Sequence, residues 1–456
     1  MRSVTLRCDA CGFEAAPLAE EPRPFTCSRA AKDGADHVLA PALGSALPTW
    51  PSSADSQPFL RFAPLLFVHQ AALELGLGED GYREAVLTLD AAIERVDGRG
   101  LRVTPASIAP SLEALTGAET WVKDETNNVS GSHKARHLFG VGLYLALVRA
   151  AGLEAQRPRL AIASCGNAAL AAAVVARAGE LPLDTFVPPD AAPAVVSRLR
   201  DLGALVHTCE RAAGELGDPC VRAFRDAVAA GAIPFGCQGP DNGITLDGGR
   251  TLAFEVVELA RQAGQLERVF VQVGGGALAS SLARGLEDAR RIGVIDRLPR
   301  LHPVQTERVA PLLAAYEKVL AGLGEAALPP PGDERSDLLR ARPLRERVEA
   351  QLALGAERRA HLLEPWPRPQ PSVAHGILDD DTYDGLAILR AAFASGGAPV
   401  AVAEPTLALA AAVLNDAGIE ADETGAAGLA GLVTWAREHG PLTSERALVL
   451  ATGHRR

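Results

Sequence analysis

Aromatic residues are scarce in this 456-residue chain, at 4%, and no apolar run approaches the ~18 residues that a membrane-spanning helix needs. Set against 44 glycines, 32 prolines and stretches crowded with Ala, Leu and Val, the first shortage argues for many α/β crossovers and tight turns rather than a β-sandwich. The N-terminal MRSVTLRCDACGF lacks the apolar core of a secretory signal, so a cytoplasmic protein is expected. Positive charge is in deficit: 45 basic against 56 acidic residues give −11, which favours neither nucleic acid nor a membrane surface as partner. Seven cysteines, an odd number scattered along the chain, do not read as a disulfide framework.

What is present is an alternation. RLAIAS (159–164), LDTFVP (183–188), ALVHTC (204–209) and RVFVQV (268–273) read as buried strands, the first, second and last followed by helical stretches, and LVLAT (448–452) is a final strand. Strand–turn–helix units of this kind imply a mostly parallel sheet. Residues 308–370 break the rhythm. Rich in Arg, Leu and Glu, with PPPGDERSD (329–337) and EPWPRPQP (364–371), they read as a surface insertion of helices joined by Pro-rich turns, with a lid or an oligomer contact as alternatives.

Three loops carry candidate chemistry. VGGGALASS (273–281) places consecutive glycines between a strand and a helix, where backbone N–H groups and the helix N-terminus suit a phosphate; close packing explains such a turn equally well. Neither a P-loop nor G-x-G-x-x-G fits the spacing, which disfavours a dinucleotide-dependent dehydrogenase. ASCGNAA (163–169) is either an Asn N-cap on an alanine helix or a polar loop facing a ligand. Lys134 follows Ser130, Gly131, Ser132 and His133 and opens a helix with Leu138, Val141, Leu145 and Val148 on one face. A cation in a first turn opposes the helix dipole, which suggests a purpose, although a solvated lysine is the common case.

In order, VKDETNNVSGSHKAR (122–136), ASCGNAALAA (163–172), QVGGGALASSLARGL (272–286), ETGAAGLAGL (423–432) and LATGH (450–454) resemble the tryptophan synthase β superfamily, the fold type II pyridoxal phosphate enzymes, nearest to threonine synthases and serine/threonine ammonia-lyases. The resemblance implies an α/β fold of two open parallel-sheet domains with the cofactor in the cleft between them, plus a small Cys-bearing N-terminal segment. Residues 1–45 would be that segment, 131–244 the smaller domain, and 46–130 with 245–456 the larger one, carrying the 308–370 insertion. It implies Lys134 as cofactor anchor and carrier of the Cα proton. Asn167 would meet the ring's phenolic oxygen; Gly274, Gly275, Gly276, Ala277 and Leu278 would hold the phosphate; Thr452 would face the ring nitrogen. Ser164, Cys165, Gly166, Asn167 and Ala168 would receive the substrate carboxylate. A hydroxyl at the ring nitrogen makes a milder electron sink than a carboxylate partner, suiting elimination and replacement. The implied activity is a lyase reaction at Cβ or Cγ of an amino acid, threonine synthase-like, with an ammonia-lyase or a catalytically silent cofactor- or metal-binding protein as alternatives. A homodimer is compatible with this.

The chain departs from threonine synthases around the lysine, where His133 replaces the usual Phe and Ala135 the usual Asp. His133 is placed as in tryptophan synthase β chains, whose histidine approaches the cofactor phosphate. His375 stands where relatives commonly carry Asp. No regulatory domain follows LATGH, so a feedback-controlled dehydratase is not expected. Cys8 and Cys11 have zinc-ribbon spacing and Cys27 follows at a suitable distance, making these three candidate zinc ligands; Ala30 holds the expected fourth place, and His37 is a substitute at unusual spacing. Cys165, Cys209, Cys220 and Cys237 read as structural core thiols. Asp379, Asp380 and Asp381 read as an N-cap and solvated turn rather than a metal site, and DGGRTLAFE (247–255) as a helix start.

Overall fold

A computed structural model describes residues 2–30, 33–154, 157–211, 218–324, 328–367 and 370–455. Twelve strands form three sheets among these described residues. In chain order they are β1 (Val4–Cys8), β2 (Leu39–Leu43), β3 (Ala106–Ile108), β4 (Glu119–Asp124), β5 (Leu160–Ala163), β6 (Leu183–Val187), β7 (Leu205–Thr208), β8 (Ile233–Pro234), β9 (Arg268–Gln272), β10 (Arg300–Thr306), β11 (Val400–Val402) and β12 (Arg446–Ala451). The largest sheet runs β11-β10-β9-β12-β4-β3 and is parallel except for the β3–β4 pair. A second, parallel sheet runs β7-β6-β5-β8, and β1 pairs with β2 as an antiparallel hairpin. β9, central in the large sheet, is buried throughout, as expected of a strand covered on both faces. No helix of the described residues is long and apolar enough to cross a membrane.

The N-terminal hairpin is not loosely tethered. Val4 and Leu6 share a buried cluster with Phe67, Phe139 and Tyr144, and the Tyr144 hydroxyl donates to the Pro22 carbonyl. The 308–370 stretch supplies the helices Pro311–Ala321, Asp333–Arg340 and Leu344–Glu357. Their Leu312, Val319, Leu339, Val348 and Leu352 are buried with Leu386, Leu389 and Val269 and Val271 of β9, so the stretch shares the core against the six-stranded sheet rather than lying only on the surface.

Helix Lys134–Ala150 starts on a buried charge network. Arg136 donates to Glu125 at 2.8 Å through Nε and again through Nη2, and to Glu255 at 2.6 Å through Nη1. Lys123 completes the set, donating to the other Glu255 oxygen at 2.6 Å. All four side chains are at most 3% exposed. Burial pushes the Glu125 carboxyl up, and the Arg136 guanidinium more than offsets this, holding it below the usual carboxylate range. The partner helix Thr245–Ala263 approaches closely only because position 248 is glycine: a Cβ there would lie 2.0 Å from the Arg136 carbonyl oxygen. Removing the guanidinium would strand two carboxylates in a dry interior. Arg136→Ala should therefore lower stability by about 3–5 kcal/mol, read as a fall in thermal midpoint, whereas Arg149→Ala at the far end of the helix should leave it unchanged.

Candidate functional site

In open parallel sheets, ligands settle beyond the carboxyl ends of the strands, where the connecting loops converge. Here Glu125–Lys134 follows β4, Ser164–Asn167 follows β5, Gly274–Gly276 follows β9, and Thr452–His454 follows β12. The first, second and fourth of these loops interlock. Ser132 bridges Gly453 backbone to backbone, His454 N donates to the Gly131 carbonyl at 3.0 Å, and a Cβ on Gly453 would lie 3.1 Å from Asn167 Nδ2.

Lys134 is half-buried at the first position of its helix, and its Nζ makes no hydrogen bond or ion pair with the described residues. Two imidazoles flank it. His133 Nδ1 lies 3.2 Å from the Thr452 carbonyl and His137 Nδ1 lies 2.9 Å from the Thr245 carbonyl. A carbonyl only accepts, so both rings carry their proton on Nδ1 and present a bare, buried Nε2 with no partner among the described residues. Burial, with Lys134 adding to it, holds His133 well below the usual histidine range and drops His137 to about 3. Both are neutral acceptors beside the amine. In this tautomer His133 can accept a proton but has none to offer a phosphate.

The glycine turn ends in Gly276, whose φ of +103° lies in the left-handed region. No side chain caps the helix Ala277–Ile292 that follows. Its first N–H groups have no protein acceptor among the described residues, an arrangement suited to an anion. Gly275 is held from both sides: its N–H donates to Asp379 Oδ2 at 2.9 Å, and its carbonyl accepts from Asp384 N at 3.0 Å. The acidic run is therefore not a solvated turn. Asp379 lies against the glycine loop, Asp381 is paired with Arg359, and the Asp380 carbonyl accepts from Trp366 N. Burial lifts the Asp379 carboxyl to about 6, with Lys134 opposing the rise.

At the end of β12, Thr452 Oγ1 accepts from Gln272 Nε2 at 2.5 Å, and the same amide donates to the Gly425 carbonyl at 2.9 Å. Because that contact consumes an oxygen lone pair, the Thr452 O–H remains a donor. Asn167 is not the helix cap; Gly166 takes that place without a side-chain cap bond, and the Asn167 amide is left without a partner among the described residues. Ser164, Gly166 and Ala168 are half-buried beside it. Cys165 is exposed, contrary to its reading as a core thiol, while Cys209 is half-buried and Cys220 and Cys237 are buried. Partial desolvation of its sulfur raises the Cys165 thiol, and the negative charges of Asp190, Asp218 and Asp379 add to the rise. His375 is exposed, its Nδ1 3.2 Å from the Val373 carbonyl.

Cys8, Cys11 and Cys27 lie apart from this cleft, in the N-terminal segment, and converge with His37 into a cluster able to hold a metal. Sequence reasoning missed Gln272, His137, Asp384 and Arg359. For the first two a signal existed: Gln272 is the polar end of an apolar strand, and His137 interrupts an apolar helix one turn after Lys134.

Comparison with known proteins agrees in kind. A relative from Pseudomonas sp, an L-threo-3-hydroxyaspartate ammonia-lyase, is 34% identical over 193 residues, 42% of this chain and 56% of that protein. Threonine synthase of Mycobacterium tuberculosis strain H37Rv is 27% identical over 212 residues, 46% and 55% of the two chains. The chain thus spans about half the length of the curated relatives it matches. Among solved structures, the processed form of threonine deaminase isoform 2 from Solanum lycopersicum matches with a TM-score of 0.55 at 16% identity, over 91% of this chain and 96% of that one. Diaminopropionate ammonia lyase from Escherichia coli matches at 0.56 and 17%, over 82% and 88%. At these identities the solved structures speak for the fold. The profile of one family, described as pyridoxal-phosphate dependent enzyme, matches residues 99–453, most of the chain, and this protein belongs to that family.

Proposed function

We propose that this chain is a pyridoxal phosphate-dependent lyase that removes a leaving group from Cβ of an amino acid, of the ammonia-lyase type. One observation carries the reading: a lysine amine and an Asn amide without partners among the described residues, a hydroxyl free to donate and a helix N-terminus without a side-chain cap among them lie past the ends of four strands. That set fits the cofactor. Gly276, Ala277 and Leu278 would hold its phosphate, Thr452 its ring nitrogen, Asn167 its phenolic oxygen, and Lys134 its aldehyde carbon. When bound, the cofactor supplies an electron sink that stabilises negative charge at the substrate Cα. Lys134 would then move the Cα proton, while the N–H groups near Ser164, Gly166 and Ala168 orient the carboxylate.

The side chain of the substrate is narrowed by charge. A phosphorylated substrate of the threonine synthase type needs cations at its leaving group. The carboxylates of Asp190, Asp218 and Asp379 instead act on the thiol of Cys165, and the two imidazoles are neutral. This favours ammonia release from an uncharged hydroxy- or amino-substituted side chain over phosphate release. A second ligand, zinc at Cys8, Cys11 and Cys27, belongs to the same reading and is supported by the convergence of their sulfurs.

Incubation with serine, threonine, 2,3-diaminopropionate and phosphohomoserine, with ammonia and phosphate assayed in parallel, should give ammonia from at least one unphosphorylated substrate. Phosphate release alone would reverse the assignment. Lys134→Ala should cut turnover by about 10³-fold or more and abolish the long-wavelength absorbance of bound cofactor, with an unchanged melting temperature. Asp379 adds a pH dependence. Above pH about 6 its carboxylate is charged and competes with a phosphate for the Gly275 N–H; below that pH it is protonated and the competition ends. Relative to Asp379→Asn, the wild type should bind cofactor about tenfold more weakly at pH 8, the scale of one pK unit. The gap should close as pH falls below 6 in titrations of cofactor absorbance.

A further inference from the structure

The N-terminal cluster has the dimensions of a coordination sphere. The donor atoms of Cys8, Cys11, Cys27 and His37 all lie within 4.8 Å of one another, with the Cys11 and Cys27 sulfurs 3.7 Å apart. That separation is far beyond a disulfide bond and close to the ~3.7 Å edge of a tetrahedron with ~2.3 Å metal–sulfur bonds. Cys8 Sγ is 3.3 Å from His37 Nδ1, and the other ring nitrogen, Nε2, is 2.9 Å from Asp33 Oδ1. A carboxylate on the far nitrogen is the usual support of a metal-bound histidine. Four protein donors leave no open position, so the site is structural in type.

Its neighbour in sequence points at the cofactor cleft. Asp36, next to His37, accepts from Arg359 Nη1 at 2.6 Å, and its backbone N–H donates to the Ala356 carbonyl at 3.0 Å. Arg359 N in turn donates to the Gly34 carbonyl. The same guanidinium donates to the Asp381 carboxylate, to the Thr382 carbonyl at 2.9 Å and to the Tyr383 carbonyl at 3.3 Å. These lie in the run whose two ends, Asp379 and Asp384, hold the N–H and carbonyl of Gly275. A path of chain neighbours and hydrogen bonds therefore links His37 to the glycine turn through one arginine of the 308–370 stretch.

We propose that Cys8, Cys11, Cys27 and His37 form a closed zinc site, and that zinc, by fixing the 33–37 segment, uses Arg359 as a positioning residue for the Asp379–Asp384 run and hence for the phosphate-binding turn. This rests on the zinc reading given above and adds its fourth ligand and its effect on the cofactor site. Without zinc, the 33–37 segment loses its anchor, one of the two carboxylates that hold Arg359 is no longer fixed in place, and the wall against Gly275 loosens.

The test uses the full chain, purified with and without added zinc. Metal analysis should find one zinc per chain, lost in His37→Ala. Hydrogen–deuterium exchange over residues 379–385 should rise about tenfold in the zinc-stripped protein and in zinc-loaded Arg359→Ala. The double variant His37→Ala/Arg359→Ala should add nothing beyond either single change, as expected of one linked path. Cofactor affinity should fall about tenfold in the same samples. Asp36→Asn, which keeps every ligand, should reproduce the Arg359→Ala effect with zinc retained. No zinc in the protein, even after its addition, would overturn the metal reading and the proposal with it. Bound zinc whose removal leaves exchange at 379–385 unchanged would overturn the coupling alone. The exchange measurement reads the coupling whether or not cofactor is present.

Discussion

Lys134 is aimed by a salt bridge it does not take part in. Successive residues of an α-helix project about 100° apart, so side chains two positions apart leave the axis on nearly opposite sides. Arg136 is locked in place by Glu125 and Glu255, so Lys134 leaves the helix on the side away from those carboxylates, where its charge acts on Asp379 beside the glycine turn. His137, three positions on from the lysine, returns to its side, which is why a neutral imidazole accompanies the amine. A buried guanidinium is costly unless all its charge is met, and here both carboxylates are supplied by elements the lysine must be positioned against. Glu125 comes from the loop after β4 and Glu255 from the helix Thr245–Ala263.

Around this fixed amine the cleft is built from groups with hydrogen-bonding capacity left over. Buried polar groups ordinarily find partners within the protein, and several without one at a single place suit a polar ligand. Ser132 Oγ, His133 Nε2 and His137 Nε2 are in this condition and crowd the first turn of one helix. The uncapped N-terminus of the helix Ala277–Ile292 is the complementary deficit at the other end. A surface lysine on an ordinary helix would show neither.

How much of this can be read from the chain alone depends on the range of the interaction. The strand–glycine–helix alternation is local, and the expected strands at 159–164, 183–188, 204–209 and 268–273 correspond to β5, β6, β7 and β9. The class of cofactor is legible because its motifs are short, ordered segments. The Asp379–Asp381 run is not, because an acidic turn before a helix looks the same whether it faces water or a glycine loop a hundred residues earlier; only tertiary contact with Gly275 distinguishes them. Cys165 misleads for the opposite reason. Its neighbours form a buried strand, but it sits one residue past Ser164, where the backbone has already left the sheet. Arg359 carries no signal, since an arginine among many in a stretch of mixed charge gives no hint that Asp36 awaits it.

The distribution of charge in the cleft bears on which bond breaks. The Gln272 amide nitrogen faces Thr452 Oγ1 and the Gly425 and Leu450 carbonyls, which leaves the threonine hydroxyl its own hydrogen to donate, while the Asp422 carboxylate stands close by on the Gly425 N–H. A ring nitrogen met by a hydroxyl keeps its lone pair engaged without acquiring a full proton, so negative charge delocalised from Cα is held less deeply. A shallow sink favours prompt expulsion of a group at Cβ over prolonged storage of charge that would allow reprotonation elsewhere. On the proposed reading, the carboxylates that act on Cys165 favour a hydroxyl or an amine as the leaving group over a phosphorylated one. Both features support the proposed loss of a substituent from Cβ.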